Sequence, residues 1–376
     1  AAGRIYIASC SQGPGFPVST GAFQASHAGA QDGVAFCLSP DFSMLEWSTY
    51  FGTAGGEMCF GIKLSSNGDV YVCGGSSGTD LPTTAGAHQP SNAGGNDGFI
   101  VRFNSTATNV INCTYFGSPG ADVAFFLQLD VDDNAYIFGQ SASGSGLDIS
   151  PVGTYGQTTG QVFVAEYTPD LSEQVFRTRL GVGNMVPVAF LVDVCRNIYI
   201  SGYSVGAGWE VATDALYTSG GFYLGVYDPD MTAFRYGTYY TGAGHVDGGT
   251  SRFDANGVVY QAVCTSGGFP TTPGAWSNVQ PSGWDVGVFK IDFEQSGVNV
   301  NLAASATTGC APTTITFDGA GNANGFTWVA ADGTVLSTSS SFSYLFNEAG
   351  TFQIMLIGTD STSCNIADTA YVTVTI

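Results

Sequence analysis

The amino-acid sequence predicts an all-β protein, a β-propeller of four-stranded blades followed by an Ig-like β-sandwich, on three observations. A strand motif, Ile5-Tyr6-Ile7, returns as Val70-Tyr71-Val72, Ala135-Tyr136-Ile137, Ile198-Tyr199-Ile200 and Val259-Tyr260-Gln261, with the tyrosines 65, 65, 63 and 61 residues apart. Four short strands fit within each period, too few to form a separate sandwich. After Phe293 the period stops, and a stretch of roughly eighty residues rich in Thr, Ser and β-branched strands begins, the size of one small sandwich.

Each unit reads as strands a to d. Polar turns precede the tyrosines at Ser65-Ser66-Asn67-Gly68, Asp130-Val131-Asp132-Asp133, Asp193-Val194-Cys195-Arg196 and Asp254-Ala255-Asn256-Gly257. Asp, Asn and Gly accept tight-turn angles, so these join strands a and b as a hairpin. The loops with Leu81-Pro82-Thr83-Thr84 and Phe269-Pro270-Thr271 run outside the sheet, because Pro cannot donate to a central ladder. Strand c starts near Asp32, Asp97 and Asp285, and strand d ends at Tyr50-Phe51-Gly52, Tyr115-Phe116-Gly117, Arg179-Leu180-Gly181 and Tyr240-Thr241-Gly242. Such small sheets hide both faces only by packing on one another, which is the propeller solution. The expected division is a propeller over 1–293, a linker at 294–297 and a sandwich over 298–376. The strands counted this way number 18, arranged as three strands, three full blades and three strands. The ring is therefore expected to be completed by other residues of a larger protein or by another chain.

Nine Lys and Arg against 30 Asp and Glu give a net charge of -21, which repels phosphate backbones and anionic lipid. No nucleic-acid partner is expected, and no apolar run reaches the roughly 18 residues of a membrane span. The nine cysteines contain no CxxC pair, which argues against structural zinc. Cys59 and Cys73 fall on neighbouring strands of one hairpin, where a bridge competes with simple apolar packing.

Catalytic patterns read as scaffold. Gly74-Gly75-Ser76-Ser77-Gly78 and Gly202-Tyr203-Ser204-Val205-Gly206 fit GxSxG, but no helical pattern follows, and both lie at the exit of strand b. His27, His88 and His245 are the only histidines, and His88 stands where other units have Phe23, Tyr155, Tyr217 and Trp276. It is expected to pack. No catalytic residue and no cofactor is assigned. Asp32, Asp97 and Asp285, like Asp130, Asp193 and Asp254, recur at turns and are expected to cap backbone amides. Calcium at Asp130, Asp132 and Asp133 is the sharper alternative, without a complete EF-type loop. Trp209 and Trp284 lack counterparts in the other units and are the candidate ligand contacts.

Trp47-Ser48-Thr49-Tyr50-Phe51-Gly52, Ser66-Asn67-Gly68-Asp69-Val70-Tyr71-Val72, Asp80-Leu81-Pro82-Thr83-Thr84-Ala85-Gly86-Ala87-His88-Gln89 and Gly94-Gly95-Asn96-Asp97-Gly98-Phe99-Ile100 together resemble the bacterial SBBP-type β-propeller repeat. Thr313-Thr314-Ile315-Thr316-Phe317-Asp318-Gly319, Phe326-Thr327-Trp328, Phe346-Asn347-Glu348-Ala349-Gly350-Thr351-Phe352 and Ala370-Tyr371-Val372-Thr373-Val374-Thr375 resemble a PKD domain. The combination resembles large secreted or surface-attached proteins of Bacteroidetes exported by type IX secretion, which implies an extracellular or cell-surface location. Cys310 and Cys364, each just before a strand of the PKD-like segment, are placed as a disulfide clamp, and the resemblance to secreted PKD domains points the same way. Asp360-Ser361-Thr362 and Asp368-Thr369-Ala370 resemble short Bacteroidetes O-glycosylation sites, with Ser361 and Thr369 as acceptors.

The implied role is a non-catalytic structural or adhesive module, part of a larger cell-surface or appendage (filament) protein. Its partners would be other copies or other parts of the same protein, with a homo-oligomer expected. One alternative is an adhesin that binds glycans or proteins of another cell through loops 140–160 and 203–220. The other is an extracellular enzyme with its catalytic centre at the mouth of the ring.

Overall fold

The computed structural model describes residues 3–142, 146–240, 251–253, 258–280, 283–292, 297–360, 363–364 and 367–376. It is all-β and forms two compact units. The first comprises Ala1–Val192, Arg196–Arg252 and Tyr260–Phe289; the second comprises Asp193–Cys195, Phe253–Val259 and Lys290–Ile376.

Eighteen strands form five successive sheets in the order of the sequence. Sheet 1 holds β1 (Ile5–Ser11), β2 (Asp32–Leu38) and β3 (Leu45–Phe51). Sheet 2 holds β4 (Glu57–Leu64), β5 (Val70–Ser76), β6 (Asp97–Phe103) and β7 (Val110–Phe116). Sheet 3 is β8 (Asp122–Leu129), β9 (Ala135–Ser141), β10 (Val162–Tyr167) and β11 (Gln174–Leu180). Sheet 4 is β12 (Val186–Val192), β13 (Ile198–Tyr203), β14 (Phe222–Tyr227) and β15 (Phe234–Tyr240), and sheet 5 is β16 (Ser251–Phe253), β17 (Val259–Thr265) and β18 (Asp285–Ile291). Sheets 1 to 4 are antiparallel meanders, each joined by tight turns except for a long loop between its second- and third-last strands, and each sheet is complete before the next begins. This is the propeller-like arrangement that the period predicts.

Alternation along the strands explains why the sheets stack. In β5, Val70 and Val72 join Ala35, Trp47 and Phe51 in one core, while Tyr71 and Cys73 join Leu127, Ile137 and Phe163 in the next. In sheets 3 and 4, Tyr136 and Phe138 share a core with Phe190, Ile198 and Tyr223. The first strand of a sheet makes much of each contact: β4 packs on β1 and β2, β8 on β4, β5 and β6, and β12 on β8 and β9. With both faces apolar and covered, β5 is buried end to end and β9 at every residue but Gln140. The repeated tyrosine therefore faces the following sheet. Tyr71, Tyr136 and Tyr199 are fully buried, whereas Tyr260 of the last sheet is 46% exposed.

The strand order of the second unit is β19 (Val300–Ala304), β20 (Thr313–Gly321), β21 (Gly325–Ala330), β22 (Val335–Ser337), β23 (Ser341–Phe346), β24 (Thr351–Thr359) and β25 (Ala367–Thr375). These form a three-stranded sheet, β19-β20-β23, and a four-stranded sheet, β22-β21-β24-β25. Their inner faces enclose Trp328 with Ile315, Phe317, Phe346, Ile354 and Leu356. The indole N–H of Trp328 donates to Ser339 O (2.7 Å), which satisfies the one polar atom that its burial would otherwise strand.

The expected Cys310–Cys364 pair is corrected. Cys364 is bonded to Cys195, and Cys310 is an exposed thiol. The segment before Cys310 runs beside the end of β25, with Gly309 N donating to Thr375 O (3.1 Å), whereas Cys364 precedes the start of that strand. A nine-residue strand spans about 30 Å, far beyond the reach of a disulfide. Cys59 and Cys73 belong to different cores, on the two faces of sheet 2, and both are buried thiols. Labelling of the native protein with a soluble thiol reagent is therefore expected to modify Cys10 and Cys310 first. By mass spectrometry, Cys37, Cys59, Cys73 and Cys113 should react only after denaturation, and Cys195 and Cys364 only after reduction.

Candidate functional site

The recurrent acids act as turn braces. Asp32 Oδ2 accepts from Ala28 N (2.9 Å) and Gln24 Nε2 (2.9 Å), and Gln24 Oε1 accepts from Gly52 N (2.9 Å). The same set recurs one sheet later, where Asp97 Oδ2 accepts from Ala93 N (2.6 Å) and Gln89 Nε2 (2.9 Å), and Gln89 Oε1 from Gly117 N (3.1 Å). Asp193 caps Cys195 N (2.9 Å) and Asp285 caps Val286 N (2.8 Å); Asp254 lies outside the described residues.

The three calcium candidates are each engaged by protein groups. Asp130 accepts from Asp132 N and Asn134 N (2.9 Å each) and pairs with Arg196 Nε (3.0 Å); Asp132 also pairs with Arg196. Asp133 takes Ser66 N (2.8 Å) and Ser66 Oγ (2.6 Å). Its φ of 63° and that of Arg196, 66°, mark the same left-handed turn position. The a–b turns of sheets 2, 3 and 4 are thus tied in series. Among the described residues, no group of three or more His, Cys, Asp or Glu is arranged to hold a metal ion.

The serines of both GxSxG strings belong to the scaffold geometry. Ser76 is buried, donates to Glu57 Oε1 (2.7 Å) and accepts from Gly78 N (3.0 Å). Ser204 is exposed at the exit of β13, with φ 58°. The one helical element among the described residues is a single 3-10 turn, Pro229–Met231, so neither serine stands on a strand-to-helix elbow. His88 packs edge-on to Tyr167 (5.6 Å between ring centroids), and burial lowers its pKa. Leu216, not Tyr217, holds the equivalent place in sheet 4: Ala215 N donates to Ala212 O as Ala87 N does to Thr84 O, and the residue after each alanine is the counterpart. His245 lies outside the described residues.

Trp209 is corrected from an exposed ligand contact to a core residue. It is 5% exposed, its ring lies 4.8 Å from that of Tyr223, and its backbone N–H donates to Tyr239 Oη (3.1 Å). Trp284 is 65% exposed beside β18. Tyr155 Oη donates to Glu210, so the two loops proposed for binding are tied to each other. Thr369 is exposed on β25, and Ser361 lies outside the described residues.

Two buried carboxyl groups have raised pKa values, the brace Asp97 and Glu166, and Glu166 is not legible in the repeats because its position holds unlike residues in the other units. Glu166, 2% exposed, lies opposite Tyr136 in the β9–β10 ladder, and burial, helped by Asp230 and Asp130, pushes its pKa up to about 7. Burial and the nearby Asp122 push Asp97 up to about 6. A raised carboxyl favours the protonated fold, so the stability from Glu166 is fully present below its unfolded value of about 4.5 and is lost as pH rises through about 7. Glu166→Gln is therefore expected to match the wild type at pH ~4.5 and to exceed it by roughly 1–3 kcal/mol at pH ~8, read from urea midpoints at the two pH values.

The family model for the SBBP beta-propeller repeat matches residues 46–82, from β3 to the loop after β5. No curated protein matches. Among solved structures, the extracellular domain of a one-component system from B. thetaiotaomicron is similar at 12% identity and a TM-score of 0.32, over 92% of this chain and 42% of that one. The extracellular domain of a hybrid two-component system from the same organism is similar at 10% identity and a TM-score of 0.29, over 92% of this chain and 49% of that one. A fungal alcohol oxidase of the AA5 family, in complex with copper, reaches 12% identity and a TM-score of 0.26, over 100% and 95%. The chain spans less than half the length of the first two, and similarity at this level carries no functional inference. The sequence match is to the propeller repeat, and it covers one joint of the stack.

Proposed function

We propose that the chain is a non-catalytic structural and adhesive module of a larger secreted cell-surface or appendage protein. The observation that carries this reading is that the conspicuous polar side chains of the repeats brace the scaffold. Asp32 and Asp97 with their glutamines, Asp130, Asp133 and Ser76 all bond to neighbouring turns and strands. Such a chain is a set of rigid plates that hold variable loops in fixed places. The Cys195–Cys364 disulfide supports an oxidising, extracellular setting, and the two-sheet second unit suits a PKD-type spacer. Labelling intact, unpermeabilised producing cells with antibody to the chain, viewed by electron microscopy, is expected to decorate a surface fringe or filament. Label that appears only after lysis overturns the reading.

A second reading, the glycan- or protein-binding adhesin, is favoured by the exposed indole of Trp284. Its mark would be binding on a glycan array that Trp284→Ala removes.

A further inference from the structure

The turns between strands c and d in sheets 2, 3 and 4 dock on the sheet before them. Ala107, Leu171 and Met231 at these turns are left-handed and fully buried, and each belongs to the core shared with that preceding sheet. A left-handed backbone is costly for such side chains and persists only where the surroundings hold it. Each of these residues is a plug, and its carbonyl accepts a backbone N–H from the long loop of the sheet that supplies the socket: Phe23 N (3.0 Å), His88 N (3.0 Å) and Tyr155 N (2.6 Å).

Two of these joints are fastened in opposite ways. By strand register, the residue facing the recurrent tyrosine is Arg102 opposite Tyr71 in sheet 2 and Glu166 opposite Tyr136 in sheet 3. In the joint of sheets 2 and 3, Tyr71 Oη (2.7 Å) and Arg102 Nη1 (3.2 Å) donate to Pro169 O, in the turn that carries Leu171. Asp69 neutralises that guanidinium, accepting from Nε (3.0 Å) and Nη2 (2.6 Å). In the joint of sheets 3 and 4 an acid replaces the base, and Asn134 stands where Asp69 does, just before strand b. The carbonyl of Pro229, the counterpart of Pro169, is taken instead by Thr232 N (3.4 Å) and Thr232 Oγ1 (3.2 Å). Tyr136 Oη and Glu166 Oε2 are left buried without a hydrogen-bond partner.

The groups around Glu166 do not replace the missing cation. Arg196, from the turn between β12 and β13, acts on it from a distance, but its Nε pairs with Asp130 (3.0 Å) and its Nη2 with Asp132. Asp130, from the turn between β8 and β9, and Asp230, from the sheet 4 turn itself, add negative charge. Across the ladder its neighbours are Tyr136 on β9 and Phe176 on β11. Asp230 is left-handed as well as Met231 (φ 58° and 51°), whereas in the sheet 3 turn Leu171 alone is. The sheet 4 turn is thus the more strained of the two, and it docks where an ionised carboxylate would be a buried charge without a counter-ion.

We propose that Glu166 is a proton-operated latch between sheets 3 and 4: with its carboxyl protonated the Pro229–Met231 turn stays plugged into sheet 3, and when the proton leaves, the turn unseats and water reaches the carboxylate. Unseating breaks the bond from Tyr155 N to Met231 O and loosens the loop that carries Tyr155, within the 140–160 stretch considered for ligand binding. One internal carboxyl therefore sets how firmly that loop is held. Burial, with Asp230 and Asp130 adding to it, raises the pKa of Glu166 from 4.5 to about 7. The closed joint keeps the proton while the open joint gives it up near 4.5, so closure weakens as pH rises from 4.5 to about 7 and is constant above that. The inference does not depend on the structural and adhesive reading of the chain.

Hydrogen–deuterium exchange of the full chain, read by mass spectrometry on wild type, Glu166→Gln and Asp230→Asn, tests the latch. Comparing the same peptides between proteins at one pH cancels the intrinsic pH dependence of exchange. Wild type and Glu166→Gln are expected to exchange alike at pH ~4.5, whereas at pH ~8 the amides of Tyr155 and Met231 exchange roughly 10–100 times faster in wild type. The amide of Phe23, at the joint of sheets 1 and 2, stays the same in both. Asp230 is exposed, and Asp230→Asn removes a like charge, so at pH ~8 it slows the same two amides by at least about threefold. Equal exchange of wild type and Glu166→Gln at pH ~8 overturns the latch. An excess that Phe23 shares overturns it, because the whole unit is then opening, and so does an excess of the same size at both pH values, because no proton is then involved. If Glu166→Gln does not fold, Asp230→Asn decides alone, and unchanged exchange at Tyr155 and Met231 overturns the latch.

Discussion

Gly74→Ala is expected to destabilise the first unit by at least about 3 kcal/mol, while Gly75→Ala, one residue on, costs less than about 1 kcal/mol. A Cβ on Gly74 would sit 1.8 Å from Met58 O, a backbone atom that cannot swing aside, and 2.9 Å from the ring of Phe99. A Cβ on Gly75 would meet only the side chain of Val123, at 3.3 Å. The difference comes from the strand beside it. β4 carries a bulge between Cys59 and Gly61, and the extra residue drives the Met58 carbonyl into the space a side chain would fill. β8 bulges in the same place, between Ala124 and Phe126, and there Val123 O lies 1.9 Å from the Cβ that Gly139 lacks. The bulged residues Phe60 and Phe125 put their rings 5.1 Å apart, so the bulge that demands the glycine also helps to join two sheets. The calorimetric transition of the first unit should shift for Gly74→Ala and Gly139→Ala and stay nearly in place for Gly75→Ala. Equal shifts at Gly74 and Gly75 would show that strand glycines cost only chain entropy here.

That glycine shows what was legible in the chain and what was not. The tyrosine period, the polar turns and the eighteen strands in their order of three, four, four, four and three can all be read from residues a few places apart, because strand alternation and turn chemistry are local. Contacts between sheets are less local. The left-handed apolar residue of the turn between strands c and d, which in three sheets plugs into the core shared with the sheet before, stands in the sequence as Pro40-Asp41-Phe42-Ser43, Pro169-Asp170-Leu171-Ser172 and Pro229-Asp230-Met231-Thr232, but its apolar side chain changes identity, and the Ala107 copy lacks the Pro-Asp pair altogether. Trp209 misled for a different reason. A residue without counterparts reads as a surface feature, yet uniqueness says nothing about burial, and its loop folds the ring onto Tyr223. The cysteine pairing failed because both Cys310 and Cys364 precede strands, and only the register reveals that they lie at opposite ends of β25.

Leu171→Ala is expected to cost the first unit about 2–5 kcal/mol, and Met231→Ala a similar amount, whereas Phe42→Ala in the same turn stays within about 0.5 kcal/mol. All three positions are left-handed, so exchanging one L side chain for another leaves the backbone strain nearly unchanged and isolates the packing. Leu171 and Met231 are fully buried, and truncation would leave cavities walled by rings, next to Tyr167 in one joint and to Tyr227 and Phe234 in the other. Ala107 shows that a small plug is tolerated when the socket fills the space itself: Phe23 reaches both Phe51 and Phe103 there, at 6.4 and 5.9 Å. Beside Leu171 the corresponding ring is the smaller one of His88, which packs on Tyr167, so less aromatic bulk is at hand to fill the space of a shortened plug. Calorimetry of the three variants decides between two meanings of the turn. If the residue merely completes the local hydrogen bonds, all three substitutions cost the same. If it locks one sheet to the next, the two buried residues lower the transition and the exposed Phe42 does not.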